Sequence, residues 1–145
     1  MKQRINIKQL EPGAYSVMFA MEKYLSSTNL TLQLRELIKI RVSQINKCAY
    51  CIEMHCKDAR KAGETEQRIF ALPAWEESPL FTDEERAVFA LVEEITKISE
   101  QGVKDSSFQN AQKYFNDNQI AQIIIAITQI NSWNRIAIST RMFHS

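Results

Sequence analysis

Two cysteines, a histidine and a glutamate stand close together in the run ELIKIRVSQINKCAYCIEMH, which covers residues 36–55. Cys48, Cys51 and His55 follow one another at intervals of three and four residues, so on an α-helix their side chains project from the same side. Glu36 supplies a carboxylate that can orient an imidazole and select its tautomer. A thiol pair, a neighbouring base and a carboxylate together favour redox chemistry or acyl transfer.

The position of the cysteines at the start of a predicted helix indicates reactive thiols. Cys48 falls in the first turn, where unpaired backbone N–H groups and the helix dipole stabilise a thiolate, the nucleophilic form. Cys51 lies one turn further on and faces His55, within reach of proton transfer. The helix dipole favours Cys48 as the thiol that reacts first, whereas the neighbouring His55 favours Cys51. We choose Cys51 because the base is close to it. A peroxide would convert Cys51 to a sulfenic acid, which Cys48 can capture as a disulfide for reduction by an external dithiol.

Three other interpretations compete with a redox site. The thiols and the histidine can be plain core residues, since free cysteines are often simply buried. A zinc site would draw its ligands from Cys48, Cys51, His55 and Cys56. Structural zinc is usually held by two separated ligand pairs, however, and Cys56 points about 100° away from His55 on a helix. A thioredoxin fold would place its CxxC pair beside βαβ units, which the sequence does not predict. We therefore expect no metal and no cofactor.

The composition is that of one ordinary globular domain. The chain has 145 residues, of which 45% are hydrophobic and 24% charged, and its net charge is +1. No basic run indicates nucleic acid as a partner, and the most apolar segment is too short to span a bilayer. Three cysteines, an odd number, and a start without an apolar leader argue against a secreted disulfide framework. We expect a cytoplasmic protein.

Hydrophobic periodicity and turn residues predict an all-α fold, a single-domain bundle of six to seven helices. We expect an extended N-terminal arm over residues 1–13 and a helical domain over residues 14–145. The predicted helices cover residues 14–27, 31–45, 48–62, 64–71, 83–100, 106–116 and 119–141. The second is apolar on all sides and therefore buried, with Glu36 inside the protein. The last begins with the run IAQIIIAITQI, part of which we expect in a subunit interface.

The spacing of the four candidate residues resembles a family signature. Glu36, the CAYC pair formed by Cys48 and Cys51, and His55 match the pattern E-x11-C-x2-C-x3-H. This pattern is similar to that of the alkylhydroperoxidase D-like branch of the carboxymuconolactone decarboxylase superfamily. The resemblance extends over about residues 15–142 and includes the later segment INSWNRIAISTR.

The resemblance implies a thiol-dependent peroxidase that reduces hydrogen peroxide or organic hydroperoxides. Cys51 would be the peroxidatic thiol and Cys48 the resolving thiol, while Glu36 and His55 would form the proton relay. Some members have a second histidine immediately before the second cysteine, where this chain has Tyr50. The implied partners are a peroxide substrate, a lipoyl- or thioredoxin-type dithiol reductant, and further copies of the chain in a dimer, trimer or hexamer.

Two other functions stay open. The same thiols can serve a protein disulfide reductase or electron-transfer adaptor, or a non-catalytic oligomeric redox-sensing module. We interpret Trp133, Asn134 and Arg135 as packing or interface residues. His144 is expected to be solvated and without a role, because chain ends are rarely ordered. Tyr15, Met18 and Trp75 are candidates for lining a substrate entrance, although aromatic and Met residues at such spacings are usually part of the core.

Overall fold

This computed structural model describes residues 2–144 of the chain. These residues contain nine α-helices and one 3-10 turn. The helices are α1 (Ile7–Leu10), α2 (Pro12–Ser26), α3 (Leu32–Ile45), α4 (Ala49–Lys61), α5 (Glu66–Ala71), α6 (Asp83–Thr96), α7 (Ile98–Gln101), α8 (Asp105–Gln112) and α9 (Asp117–Thr140), with the 3-10 turn at Leu72–Ala74. No strand occurs in this part of the chain. The predicted all-α class is confirmed. The predicted count of six to seven helices is too low, because α1 and α7 are single turns that carry no readable periodicity.

Helix α3 lies at the centre of the bundle and packs against α4, α6 and α9. Thr31 caps its N-terminus, where the hydroxyl accepts a hydrogen bond from the N–H of Leu34. The apolar side chains surround the helix axis and are fully buried: Leu37, Ile38, Ile40 and Val42. As predicted, a helix that is apolar on all sides is enclosed by its neighbours, and Glu36 is enclosed with it at 4% exposure.

The main hydrophobic core fills the space between α3, α6 and α9. Helix α6 begins at the predicted capping box of Thr82 and Glu85 and turns one apolar face inward. The apolar run of α9, part of which we expected in an interface, mostly lies in this core: Ile120, Ile123, Ile127 and Ile130 are at most 2% exposed. None of the helices in residues 2–144 has the length and apolarity needed to cross a membrane.

Two segments differ from the predicted boundaries. The arm predicted to be extended contains α1, whose single turn is capped by the Asn6 side chain. The helix predicted over residues 83–100 is interrupted at Lys97, where φ of −100° and ψ of 37° leave the helical region. The chain then continues as α7 and stops at Gly102, whose positive φ of 69° suits glycine.

Candidate active site

A tight turn at the end of α3 delivers the first cysteine to the start of α4. The N–H of Cys48 donates to the carbonyl of Ser43 at 2.9 Å, and the N–H of Lys47 donates to the carbonyl of Gln44 at 3.1 Å. These two bonds form a Schellman motif, which requires a left-handed residue at its turn. Lys47 takes that conformation with φ of 58°. Only three residues therefore separate α3 from α4, and the two helices lie against each other.

Cys48 and Cys51 are bonded to each other as a disulfide across the first turn of α4. Cys48 is the N-cap residue and Cys51 the third residue of the helix, with their Cα atoms 5.4 Å apart. That Cα separation is ordinary for a disulfide, so the pair can join without unwinding the helix. Both side chains are buried, at 1% and 2% exposure. The two sulfurs are thus shielded from bulk water.

The imidazole and the carboxylate predicted to act together do meet. Nδ1 of His55 donates to Oε2 of Glu36 at 2.9 Å, and both side chains are buried. Burial by itself raises the pKa of Glu36, but the hydrogen bond from His55 and the charge of Lys39 outweigh it, so the pKa lies below its ordinary value. The carboxylate therefore stays ionised and holds the His55 proton on Nδ1. Nε2 is left as the nitrogen that can accept a proton.

The pair belongs to a longer chain of charges that the sequence did not reveal. Nζ of Lys39 lies 3.3 Å from Oε1 of Glu36 and 3.3 Å from Oε2 of Glu22 on α2. The indole N–H of Trp133 on α9 donates to Oε1 of Glu22 at 2.9 Å. Three helices thereby fix the position of the carboxylate that orients His55. Lys39 had one sequence signal, its i+3 spacing from Glu36, whereas Glu22 had none.

A cavity of about 480 Å³ opens beside this network. Its wall is mainly apolar and includes Tyr15, Phe19, Met54, Trp133, Ile136 and Met142. Cys51 and His55 lie in the wall, and Cys48 does not. The volume falls within the range of about 300–1,000 Å³ typical of small-molecule sites. A ligand in the cavity can thus contact Cys51, while Cys48 lies behind it.

Both ends of the chain cover this cavity. The N-terminal arm contributes Gln3, Asn6, Ile7 and Lys8 to its wall, and the segment after α9 contributes Met142 and Phe143. Arg4 joins the two ends, because its backbone N–H donates to the carbonyl of Thr140 at 2.9 Å and its side chain donates to that of Ser139 at 3.1 Å. A second Schellman turn, with Arg141 at φ of 56°, directs the last residues back toward α4.

His144 is exposed, as predicted, but it also makes ordered contacts with α4. Its ring stacks on the Tyr50 ring with centroids 4.1 Å apart, and Nε2 donates to the Tyr50 carbonyl at 2.9 Å. The turn at Arg141 reverses the chain and brings His144 to Tyr50, which sequence position alone does not indicate. His144 is not part of the cavity wall.

The zinc set weighed from the sequence does not assemble. Cys48 and Cys51 are bonded to each other, and the half-buried Cys56 packs against a separate cluster around Leu37 and Ile40. Burial raises the pKa of the Cys56 thiol, which keeps it protonated. Cys56 is a packing residue.

Within residues 2–144, one other set of possible metal ligands comes together. Donor atoms of Glu36, His55 and Asp58 lie within 4.8 Å of one another. The Lys39 ammonium, 3.3 Å from Glu36, opposes a cation at that point, and the Asp58 carboxylate is already paired with Lys61 at 3.5 Å. These contacts agree with a proton relay better than with a metal centre.

The WNR segment of α9 has a packing role, as interpreted from the sequence, and also supports the site. The Asn46 amide, directly before the CxxC turn, donates to the side-chain oxygens of Asn131 at 3.0 Å and Asn134 at 2.9 Å. Asn134 is fully buried and donates to the hydroxyl of Ser43 at 3.0 Å. Arg135 donates to Asn131 at 2.8 Å. These bonds hold the end of α3 against α9.

An all-helical domain with a buried CxxC pair, a Glu-His pair that joins α3 to α4 and an adjoining cavity is the arrangement expected for the alkylhydroperoxidase D-like class. The carboxymuconolactone decarboxylase family model matches residues 12–94. The chain belongs to this family, in its alkylhydroperoxidase D-like branch.

Its relatives extend over nearly the whole chain. Uncharacterized protein YdfG of Bacillus subtilis (strain 168) is 45% identical over 139 residues, which are 96% of this chain and 95% of YdfG. The crystal structure of ATU0492 from Agrobacterium tumefaciens, a protein of unknown function suggested to be the antioxidant defence protein AhpD, superposes with a TM-score of 0.96 at 42% identity and covers 99% of both chains. The debrominase Bmp8 matches with a TM-score of 0.81 at 16% identity, over 94% of this chain and 74% of Bmp8. Bmp8 shares the fold alone, and a fold alone does not define a reaction.

Proposed function

We propose that this protein is a thiol peroxidase that reduces hydrogen peroxide or organic hydroperoxides through the Cys48–Cys51 pair. One observation carries the proposal: Cys51 and His55 lie in the wall of the same shielded cavity, and Glu36 holds His55 at 2.9 Å. This arrangement gives a nucleophilic sulfur and a base one shared space for a small oxidant.

The reaction begins with the reduced pair. His55 accepts the Cys51 thiol proton on Nε2, and Glu36 stabilises the imidazolium that forms. The thiolate attacks the distal oxygen of the hydroperoxide, a sulfur–oxygen bond forms, and the O–O bond breaks. The electron pair of that bond leaves on the proximal oxygen, which takes the proton from His55 and departs as an alcohol or as water. Cys51 is then a sulfenic acid.

Cys48 closes the cycle. Its thiolate attacks the Cys51 sulfur, the two sulfurs join, and hydroxide leaves and is protonated to water. An external dithiol then exchanges with the disulfide, regenerates both thiols and becomes oxidised itself. The net change converts one hydroperoxide and one dithiol into an alcohol, a water and a disulfide. Since Cys51 faces the cavity and Cys48 lies behind it, we assign the peroxidatic role to Cys51.

The dithiol reductant is proposed to be a lipoyl- or thioredoxin-type protein, because the buried pair needs a slender or extended donor. A lipoyl arm fits this requirement, since it can enter a cavity that a folded surface cannot. Reduction of the Cys48–Cys51 disulfide by dihydrolipoamide, faster than by a monothiol of equal concentration, is the expected result. Equal rates would remove this part of the proposal.

We also propose that the chain forms a homo-oligomer. The outward face of α2 is apolar, with Val17 71%, Met21 38% and Tyr24 48% exposed. Leu10 and Ile138, 64% and 46% exposed, add further apolar area nearby in the fold. Exposed apolar side chains in such number are typical of a surface that another copy covers. Light scattering after gel filtration should give a multiple of the 16.8 kDa chain mass, and a Val17→Glu substitution should lower it.

The peroxidase proposal is tested by peroxide consumption with a dithiol regenerating system. Cys51→Ser and Cys48→Ser should each abolish turnover, whereas Cys56→Ser, a matched substitution on the same helix, should leave it intact. After one equivalent of peroxide, the Cys48→Ser variant should carry a sulfenic acid on Cys51 that dimedone traps. Equal consumption by wild type and Cys51→Ser would refute the proposal.

The two alternative functions predict other results for the same variants. A disulfide reductase or electron-transfer adaptor would exchange with a partner disulfide through Cys48 and Cys51 but would not consume peroxide. A redox-sensing module would change its assembly state on forming the disulfide and would show no turnover of either kind.

A further inference from the structure

A buried tyrosine in the cavity wall is a donor that the proposed cycle has not used. Tyr15 lies on α2 and is 9% exposed. Its ring packs edge-on against Trp133, with centroids 5.2 Å apart, and against Phe19 at 5.9 Å. Two aromatic neighbours fix the plane of the ring and so limit the direction of its hydroxyl. The position is set by packing, before any ligand binds.

The Tyr15 hydroxyl has only a weak acceptor. It donates to the thioether sulfur of Met142 at 3.9 Å, although buried tyrosine hydroxyls usually find an oxygen or nitrogen partner. Met142 in turn packs against the cluster that contains Cys48 and Cys51. Met142 thus contacts both the Tyr15 hydroxyl and the cluster that holds the two sulfurs. An oxygen atom of a ligand would be a better acceptor than the thioether.

Three other donors of the cavity wall are already engaged. Lys39 lies between two carboxylates, the indole N–H of Trp133 donates to Glu22, and the hydroxyl of Thr140 donates to the carbonyl of Ile136. Burial, with a smaller contribution from Tyr50, raises the pKa of Tyr15. The phenol thus keeps its proton and remains a hydrogen-bond donor at neutral pH.

We infer that Tyr15 is a further catalytic residue, which donates a hydrogen bond to the proximal oxygen of a bound hydroperoxide. The inference rests on the proposed peroxidase function. As the Cys51 thiolate forms its sulfur–oxygen bond and the O–O bond breaks, negative charge develops on that oxygen. The Tyr15 hydroxyl stabilises the charge there, as a preorganised donor does for an oxyanion. The proton that the alcohol finally carries comes from His55, and Tyr15 keeps its own.

The test uses Tyr15→Phe, which retains the ring contacts and removes only the hydroxyl. Tyr24→Phe is the matched control, because Tyr24 lies on the same helix and is 48% exposed. Tyr50→Phe examines the other phenol of the wall. Each reduced protein is mixed with tert-butyl hydroperoxide, whose alkoxide is a poor leaving group, or with peracetic acid, whose carboxylate leaves readily. The rate of Cys51 oxidation is followed by dimedone trapping and mass spectrometry in a Cys48→Ser background.

We expect Tyr15→Phe to lose about 10- to 100-fold in rate with tert-butyl hydroperoxide and less than about 3-fold with peracetic acid, because only the poor leaving group needs the donor. Tyr24→Phe should match its parent with both oxidants. An equal loss with both oxidants would mean that Tyr15 only packs, and would overturn the inference. No loss in Tyr15→Phe, or the selective loss in Tyr50→Phe instead, would also overturn it.

The reactivity of Cys51 in the parent protein distinguishes a failure of this inference from a failure of the proposed peroxidase function. If Cys51 of the parent reacts with neither oxidant faster than Cys56 of the same molecule, the peroxidase proposal itself fails and the role of Tyr15 falls with it. If Cys51 reacts fast and Tyr15→Phe does not discriminate between the oxidants, only the inference about Tyr15 fails.

Discussion

Two buried glutamates lie along α4, Glu36 beside its middle and Glu64 just after its last turn, with exposures of 4% and 5%. Each carboxylate is held by a basic side chain, and the choice of base differs. Glu36 pairs with His55 and Lys39, and both of these side chains lie in the cavity wall. Glu64 pairs with Arg68 at 2.9 Å and lies away from that cavity.

The Glu64 cluster is closed by further bonds. Arg68 also donates to Glu85 at 2.5 Å and to the carbonyl of Leu80, and its guanidinium lies 4.9 Å from the centre of the Phe81 ring. The hydrogen bond to Glu85 raises the pKa of Arg68 above its ordinary value, with burial opposing. The cation is therefore permanent, and the cluster can only join α5 to α6.

The difference between the clusters lies in what the base can do. An arginine cannot release its proton in a protein, whereas a histidine changes charge within the physiological range. A carboxylate paired with arginine can only stabilise the packing of the segments that carry the two residues. A carboxylate fixed to histidine, beside a cavity that holds a thiol, can direct proton transfer. Similar burial of two acids thus serves two purposes.

The largest expected effect comes from Glu36→Gln. The glutamine amide can donate to Nδ1 of His55, which leaves the proton on Nε2 and removes the base. We expect the second-order rate with peroxide to fall about 10²- to 10⁴-fold, the usual contribution of a positioned acid or base. The variant should stay folded, because glutamine has nearly the same size. Glu64→Gln is the control and should keep the rate; an equal loss in both variants would abolish the distinction between the clusters.

Arg68→Ala should test the other cluster. It leaves Glu64 buried without its cation, so the free energy of unfolding should fall by about 2–3 kcal/mol, below the full cost of breaking a buried pair because Arg68 is 22% exposed. Peroxide turnover well below the melting temperature should not change. Chemical denaturation measures the loss, and Lys57→Ala, which removes an exposed ion pair with Glu53, should cost much less than Arg68→Ala.

Lys39→Met should change how stability depends on pH. The Lys39 charge helps to hold the pKa of Glu36 below its ordinary value, so its removal raises that pKa. A carboxylate with a lowered pKa stabilises the fold above its unfolded-state pKa, about 4.3, and this contribution is lost as the pH falls through the folded-state value. The loss begins near the unfolded-state pKa in both proteins and ends near the folded-state value, so the variant should lose less stability on acidification than wild type, over a narrower pH range.

Melting temperatures between pH 3 and 6 follow this shift. Lys97→Met is the control, since Lys97 is 46% exposed and 3.8 Å from Glu93. Superimposable profiles for Lys39→Met and wild type would show that Lys39 does not act on Glu36.

The smallest effect concerns the turns before and after α4. Lys47, in the turn before the site, has φ of 58°, while Gly63 occupies the corresponding position after α4 with φ of 94°. Lys47→Gly relieves about 1–2 kcal/mol of left-handed strain and costs about 0.5–1 kcal/mol in chain entropy. A net gain of up to about 1 kcal/mol is expected in chemical denaturation. Gly63→Ala, which meets no atom within 4 Å, should instead destabilise through its backbone conformation alone. A loss of stability in Lys47→Gly would contradict the prediction that the left-handed conformation of Lys47 is strained.

Much of the fold could be predicted because its signals are local. Helices α3, α4 and α6 begin within about one residue of their predicted starts, where Thr31, Cys48 and Thr82 stand as caps. Single-turn helices and the break at Lys97 could not be predicted, since one turn shows no periodicity.

The sequence alone determined which residues share one side of α4, because helix geometry places Cys48, Cys51 and His55 on one side wherever that helix lies. It also determined that Glu36 would be buried, since the helix around it is apolar on all sides. Only the tertiary structure decided that Glu22 and Tyr15 of α2 reach the same cavity, and that Met142 and Phe143 fold back over it. Those contacts join segments far apart in the chain, and their free energy comes from packing and desolvation that exist only once the helices meet.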